Sequence, residues 1–575
     1  MTTHRFSVPD LSRRLLAPIA ALLGLVAGLT VLILPSPAPT TASPTEFSAE
    51  RAMASINRLA DEPHSVLRRE AHDRARDDVI GMFSDLGYTA DVHSDPLFDF
   101  SIPEDKETFD MLSTEQQAAV KDAPAETIVV DVPGKSERTM ALMAHYDSAT
   151  VEADENGRAH PTSGTSHGAA DDGYGVAAIV ETLRALKAEG RQPENSLKIV
   201  ITDAEEIGLV GARNEMQHHR ADYENVDLVL NLEARGTSGP AFMFETSPNN
   251  SAVAGYFLSH VKQPVSSSLL PSLYARMPNG TDMNVLIPKG FTVLNIAAIG
   301  EAEHYHHATD APRYVDHSTL QHYGDQVLSL TRAWAFDGQA PTLTADGDLH
   351  FFQLWRGLTV RYPAAVGTGL GCLAVIAALG AVAMRARSLR WKRVLGTVWG
   401  LTWRSALASA AAGLVQLGAM AMKWAPESGL GPNPLLPWMF AGGALIGVGL
   451  TVRFVVRRWK EGLGQEAVAA VLLLLAAACI PLMVLLPGAA YVLVLPTLAL
   501  ALTALAPQRM RPVVGALAAF IIVVIFAPTV LLIHELLSLG AVWATVFFAI
   551  VPVAPLALVL LQAGSRRTQR TTART

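Results

Sequence analysis

Cysteine is nearly absent: the 575 residues hold two, Cys372 and Cys479, each inside an apolar run. The polar part of the chain has no disulfide to rely on, and a few hundred residues are enough to build a core by burial alone. That absence says nothing about compartment. Bases are scarce from residue 45 to 360, with 24 Lys+Arg against 48 Asp+Glu, and acids are scarce after residue 360, with 4 against 18 bases. The acidic part would repel phosphate, which excludes nucleic acid as a partner. No internal repeat is evident. Ionisable residues within the long apolar runs are also few. Arg404 sits at a run's edge, where it can snorkel, and His534 and Glu535 lie at a boundary. That pattern does not describe a proton relay.

What is present is apolar residue, 50% of the chain, gathered into long runs. Leu15 to Leu34 follows Arg13 and Arg14 and is long enough to span a bilayer, which takes about 20 apolar residues. It is read as an uncleaved anchor (15–34) behind a cytoplasmic segment (1–14). A signal peptide, whose apolar core is shorter, is the competing reading, with Ala38 and Ala42 near a possible cleavage point. A Pro/Ser/Thr-rich linker (35–45) leads to a polar domain (46–340) and a second linker (341–360). Residues 361–564 then read as a membrane domain of about seven transmembrane helices, over 363–384, 405–422, 434–452, 466–487, 489–506, 513–533 and 539–562. Basic clusters follow alternate runs, at Arg385 to Arg393, Arg457 to Lys460, Arg509 to Arg511, and in the tail 565–575. Positive charge marks the cytoplasmic side. Both termini are therefore expected inside and the polar domain outside the cytoplasm, at the cell exterior in a prokaryote or in an organelle lumen in a eukaryote.

Within the polar domain the hydrophobic period alternates. Helices are expected at 49–59, 67–86, 176–188, 209–218, 251–261 and 320–335. Buried strands are expected at 127–132, 139–144, 197–202, 226–232 and 291–296. Strands interleaved with helices imply an α/β/α sandwich around a mostly parallel mixed sheet. Such sheets place their sites outside the carboxyl ends of the strands.

Chemistry-bearing residues fall at those ends. The apolar run Met140 to Ala144 stops at His145-Tyr146-Asp147-Ser148; downstream come Gly168-Ala169-Ala170-Asp171-Asp172-Gly173, Asp203-Ala204-Glu205-Glu206, Asn231-Leu232-Glu233 and Tyr305-His306-His307. Taken singly, each is an ordinary strand end or an acidic helix start. Together they supply what a pair of divalent metals needs: imidazole and carboxylate ligands, a carboxylate in a Gly/Ala-rich loop able to approach two ions, and a carboxylic base beside a water. His145 is the first candidate ligand, and Asp147, two residues on, could orient it. Of the adjacent Glu205 and Glu206, one could ligate while the other faces the water.

This ordered set resembles the zinc-dependent aminopeptidase and carboxypeptidase family over roughly residues 46–335. The layout of anchor, outward domain and multi-span tail resembles its membrane-bound subset, the vacuolar membrane proteases and endoplasmic reticulum metallopeptidases. The resemblance implies two zinc ions. His145, Asp171 and Glu233 would hold one, and Asp171, Glu206 and His306 the other, with Asp171 shared. It also implies Glu205 as general base, Asp147 as the residue orienting His145, peptide substrates and an aminopeptidase activity. Tyr174 stands where the family usually has Ser, His307 where it has Thr or Ser, and Glu233 where Asp is commoner, which bears on substrate preference. Two alternatives are a single-zinc glutaminyl cyclase, which resembles this chain but lacks a counterpart of His145, and a receptor or transporter with an inert peptidase-like domain.

Overall fold

The structure is a computed structural model that describes residues 8–153, 159–161, 164–277, 280–421, 436–537 and 542–564. The chain divides into two compact units. One runs from Leu32 to Phe352, and the other joins Met1–Val31 to most of the chain from Gln353 onward.

The second unit begins with helix α1 (Val8–Leu29). The α/β unit opens with α2 (Ala49–Leu59) and α3 (Arg69–Asp85). Ser48 caps α2 by accepting the Arg51 N–H at 3.2 Å, and Ala49, Ala52, Met53, Ile56 and Leu59 form its buried stripe at helical spacing. There follow β1 (Asp91–Pro96), α4 (Pro103–Met111), α5 (Thr114–Val120), β2 (Pro124–Val132), β3 (Ser136–His145), and the short β4 (Val151–Ala153) and β5 (Ala159–Pro161). Next come α6 (Gly173–Ala188), β6 (Asn195–Thr202), α7 (Val210–His218), β7 (Val226–Ala234), β8 (Ser238–Thr246), α8 (Ser251–His260), α9 (Leu269–Tyr274), α10 (Met283–Leu286), β9 (Val293–Gly300) and α11 (His317–Phe336).

Seven strands form one mixed sheet in the order β1-β2-β6-β3-β7-β9-β8. The four central strands β6, β3, β7 and β9 are parallel, while β1/β2, β2/β6 and β8/β9 pair antiparallel. The parallel strands are buried along nearly their whole length, which explains their unbroken aliphatic runs. From β3 the chain proceeds to β6 on one side and then crosses to β7 on the other. Their registers align His145 with Thr202 and Met143 with Asn231, so the carboxyl ends meet at one edge where the strand order reverses.

The expected core strands are all present. Two edge strands were not foreseen: β1 reads Asp-Val-His-Ser-Asp-Pro, without aliphatic alternation, and β8 carries Gly239 and Pro240. The last strand lies at 293–300 rather than 291–296, because pairing with β7 and β8 carries it through Ala297 and Ala298, which break the aliphatic run.

Strands β10 (Leu349–Trp355) and β11 (Leu358–Pro363) precede the helices α12 (Ala364–Ala383), α13 (Trp391–Ala421), α14 (Leu436–Lys460), α15 (Gly464–Leu485), α16 (Tyr491–Leu505), α17 (Arg511–Leu537), α18 (Val542–Ile550) and α19 (Val553–Gly564). Most described residues of the expected spans are helical, but a turn at 551–552 divides the run 539–562 into α18 and α19, and the ends of the runs 363–384, 466–487 and 489–506 lie outside these helices. Five helical stretches among them are long and apolar enough to cross a membrane: Leu15–Leu32, Ala364–Ala383, Gly464–Leu485, Arg511–Leu536 and Val542–Gly564. The apolar helix over Tyr491–Leu505 is shorter. The described parts of the runs 405–422 and 434–452 lie in α13 and α14, which carry Arg404 and Arg453 and are not among the five. Helix α1 packs closely on α17. A Cβ on Gly24 would lie 2.8 Å from the Phe520 carbonyl oxygen, and one on Gly28 would lie 3.0 Å from Pro528 Cδ. Two glycines four apart permit that approach. The basic tail 565–575 lies outside the described residues.

Candidate metal centre

His145 is the last residue of β3. Its Nδ1 lies 3.0 Å from the Asp147 carbonyl oxygen and 3.4 Å from Asp147 Oδ1, and its Nε2 lies 3.3 Å from Asp171 Oδ1. Asp171 ends the loop before α6. Gly168, at φ +63, lets that loop fold tightly: a Cβ there would meet the Asp171 carbonyl oxygen at 3.0 Å and Ser148 Cβ at 3.1 Å. The next residue, Asp172, caps α6 by accepting the Gly175 N–H at 3.0 Å.

The other oxygen of Asp171, Oδ2, lies 3.3 Å from His306 Nε2, and the same nitrogen lies 3.1 Å from Glu206 Oε2. Glu233, near the end of β7, is fixed through its backbone: its N–H donates to the Tyr323 hydroxyl at 2.7 Å, and that hydroxyl donates to the Glu233 carbonyl at 2.9 Å. The structure therefore brings the expected residues into one cluster. The donor atoms of His145, Asp171 and Glu233 lie within 4.8 Å of one another, as do those of Asp171, Glu206 and His306, and those of His145, Glu205 and Glu206. Asp147 is fully buried and does more than face His145. Its two carboxylate oxygens accept the backbone N–H groups of Glu205 at 3.1 Å and Glu206 at 3.2 Å.

The backbone is strained around this cluster. Ala204, Leu209, Glu301 and His306 all adopt left-handed φ values between 54° and 60°, each costing about 1–3 kcal/mol. Burial works against ionisation of Asp171, but its bonds to His145 and His306 outweigh that and hold the carboxyl well below its ordinary range. Removal from water, followed by the charge on Glu233, pushes Glu205 well up. Glu233 is raised well above normal chiefly by burial, and Glu206 is raised to about 7, also chiefly by burial. Burial opposes the His306 cation, yet Glu206 and Asp171 lift it to about 10. Glu206 Oε1 is buried without a hydrogen-bond partner. Crowded carboxylates, an unpartnered carboxylate oxygen and an imidazole–carboxylate set fit divalent cations.

Other residues complete the frame. Asp310 accepts the N–H groups of Ala170 at 2.7 Å and Asp171 at 3.3 Å, so it holds the loop that presents Asp171. Its only sequence signal is its place four residues after His306. Behind Glu205, Asp203 Oδ1 pairs with His72 Nε2 at 3.0 Å, and Asp203 Oδ2 accepts the Glu126 N–H at 2.7 Å. Tyr174, the departure from Ser, is fully buried and donates its hydroxyl to the Thr237 carbonyl at 2.6 Å. It therefore packs behind the centre and does not line it.

Residues 127–331 match Peptidase family M28, so the α/β unit carries a domain of that family. The chain is similar to the vacuolar membrane protease of Lodderomyces elongisporus, 28% identical over 202 residues, 34% of this chain and 19% of the relative. It is also similar to endoplasmic reticulum metallopeptidase 1 of Mus musculus, 25% identical over 261 residues, 44% of this chain and 27% of the relative. It thus spans roughly a fifth to a quarter of the length of these curated relatives. Similar solved structures include a zinc aminopeptidase from Bacillus subtilis, at 13% identity and TM-score 0.39, covering 52% of this chain and 98% of that one. Another is the Porphyromonas gingivalis glutaminyl cyclase, at 18% identity and TM-score 0.38, covering 50% of this chain and 98% of that one.

Proposed function

We propose that this M28 domain makes the chain a membrane-bound zinc exopeptidase of the aminopeptidase type. Asp171 carries the reading, with an imidazole 3.3 Å from each carboxylate oxygen, His145 on one and His306 on the other. A carboxylate shared between two cations has this arrangement, with Glu233 completing one side and Glu206 the other. Two zinc ions held there would supply a water of lowered pKa and a Lewis acid for the scissile carbonyl.

The chain's own residues do the rest. Glu205 accepts the proton of the attacking water and returns it to the leaving amine, a role its place among the donor atoms of His145 and Glu206 allows. Asp147 accepts a hydrogen bond from His145 Nδ1 through its carbonyl at 3.0 Å, with Oδ1 at 3.4 Å, and so leaves Nε2 free to ligate. By accepting the Glu205 and Glu206 amides as well, it holds base and ligand in one register with His145. Asp310 keeps Asp171 at the junction of the two halves. A single-zinc cyclase would leave the His145–Asp147 pair without a task, and an inert domain would not need the full donor set.

The purified, zinc-loaded full chain should release residues one at a time from peptides with a free N-terminus and none from their acetylated forms. Internal cleavage, or release from the C-terminus, would overturn the aminopeptidase reading. The basic clusters after alternate helical runs support an exocytoplasmic α/β unit and cytoplasmic termini. Protease added to intact prokaryotic cells should remove residues 45–360, and protection of that segment would reverse the orientation.

A further inference from the structure

A second imidazole–carboxylate constellation shares no residue with the centre. His93 and Asp95 are two apart on β1 and so share a face of that edge strand. Glu215 and His219 are four apart at the end of α7 and share a face of that helix. The two faces meet. His93 Nδ1 lies 2.8 Å from Glu215 Oε1, and His219 Nε2 lies 2.9 Å from Asp95 Oδ2. The two imidazole rings stack with centroids 3.9 Å apart and an 18° tilt, and the donor atoms of His93, Glu215 and His219 all fall within 4.8 Å of one another.

Glu215 is fully buried, and its second oxygen accepts the Tyr223 hydroxyl at 2.7 Å. A carboxylate removed from water needs positive charge nearby. The side chains of His93, Asp95 and His219 remain 17%, 14% and 26% exposed, which leaves the cluster open to an ion from solvent.

We propose that His93, Asp95, Glu215 and His219 form a separate divalent transition-metal site, with Zn²⁺ as the ion its donors suit. Two imidazoles and one carboxylate are an established donor set for zinc, and Asp95, outside the 4.8 Å group but 2.9 Å from His219, would supply the fourth ligand. Tetrahedral zinc at about 2.0–2.1 Å from each ligand sets its donors about 3.3 Å apart. The paired atoms would then separate by about half an ångström, and the rings would tilt out of their stack. The ion would displace the protons now shared within the two His–carboxylate pairs and would tie β1 to the end of α7. Helix α7 begins just after the Glu205–Glu206 turn, so the site would brace the element that follows the base while taking no part in the reaction.

The test is a zinc count on the full chain in detergent, equilibrated at fixed free Zn²⁺, comparing the parent with His219→Asn and with His93→Asn/His219→Asn. Asparagine keeps a hydrogen-bonding side chain but is a poor zinc ligand. The expected result is one zinc fewer per chain in either variant, with peptide turnover unchanged and a zinc-induced rise in Tm that is present in the parent and reduced in the variants. Equal zinc counts in parent and variants would overturn the proposal. Because the count is a difference, it holds whatever the main centre binds, and His306→Ala provides the control. That change should lower zinc at the main centre while the further loss on His219→Asn persists.

Discussion

Compared with the helical unit, where buried hydroxyls bond within their own helix and Arg390–Glu466 and Val542–Gln416 are longer-range pairs, the α/β unit gathers its long-range buried polar pairs at the proposed metal centre. In the helical unit, Thr397, Thr451, Thr497, Thr503 and Thr529 each donate their hydroxyl to the carbonyl four residues earlier, at 2.6–2.9 Å. Each hydroxyl is satisfied by its own helix, as an apolar surrounding demands. Such bonds hold nothing distant in place. In the α/β unit the buried polar groups reach across the sequence: Asp147 to Glu205 and Glu206, Asp310 to Ala170, His72 to Asp203. Long-range pairs of that kind fix geometry, and they are concentrated at the carboxyl ends of β3, β6 and β7. The difference supports the proposed chemistry in the α/β unit.

The sharpest break in that contrast is expected at the base. Glu205→Gln should keep shape and metal content yet lower peptide turnover by about 10²–10⁴-fold, as read by steady-state kinetics beside a zinc count. A near-parental rate would remove Glu205 from its role.

The next effect is on stability. His64 is buried, and burial lowers its pKa from 6.5 to about 4. The folded state therefore favours neutral His64, while the unfolded chain takes up a proton below about 6.5. The contribution is complete above pH 6.5 and is lost as pH falls towards 4, by about 3 kcal/mol across the window. Thermal unfolding of the full chain followed from pH 7 to 4 should show that slope, and His64→Gln should flatten it.

In the helical unit the expected effects are smaller and structural. Gly28→Leu drives a side chain into the Val524 carbonyl oxygen and Pro528 Cδ, each 3.0 Å from the site of a Cβ. Overpacking of this kind costs about 1–3 kcal/mol. The Tm in detergent should fall, with turnover per folded molecule unchanged. Thr503→Val removes only a hydroxyl bonded to its own helix, so the loss of stability, read as a fall in Tm, should be about 1 kcal/mol or less. A large loss of turnover in either variant would tie the helices to the chemistry and dissolve the contrast.

The same difference explains how much could be read before the structure. Parallel strands buried on both faces announce themselves as aliphatic runs, and α2 occupies the expected residues 49–59 because its stripe and its Ser48 cap are both local. Strand β1 escaped because its residues are mostly polar and its order comes from pairing with β2. Donor residues at strand ends were legible by type and order. The work of Asp310 and Tyr323 was not, since each acts on backbone groups 140 and 90 residues away and neither sequence neighbourhood names its partner. The spacings of His93 with Asp95 and of Glu215 with His219 were visible in the sequence, but the meeting of β1 with α7 was not.

One carboxylate, Asp171, is proposed to serve both halves of the centre. Counting zinc in the full chain and its Asp171→Ala, His145→Ala and His306→Ala variants at the same free zinc concentration distinguishes a shared ligand from a single-site one. Asp171→Ala should lose two equivalents relative to the parent, whereas His145→Ala and His306→Ala should each lose mainly one. A loss of a single equivalent on Asp171→Ala would show that the carboxylate is not shared.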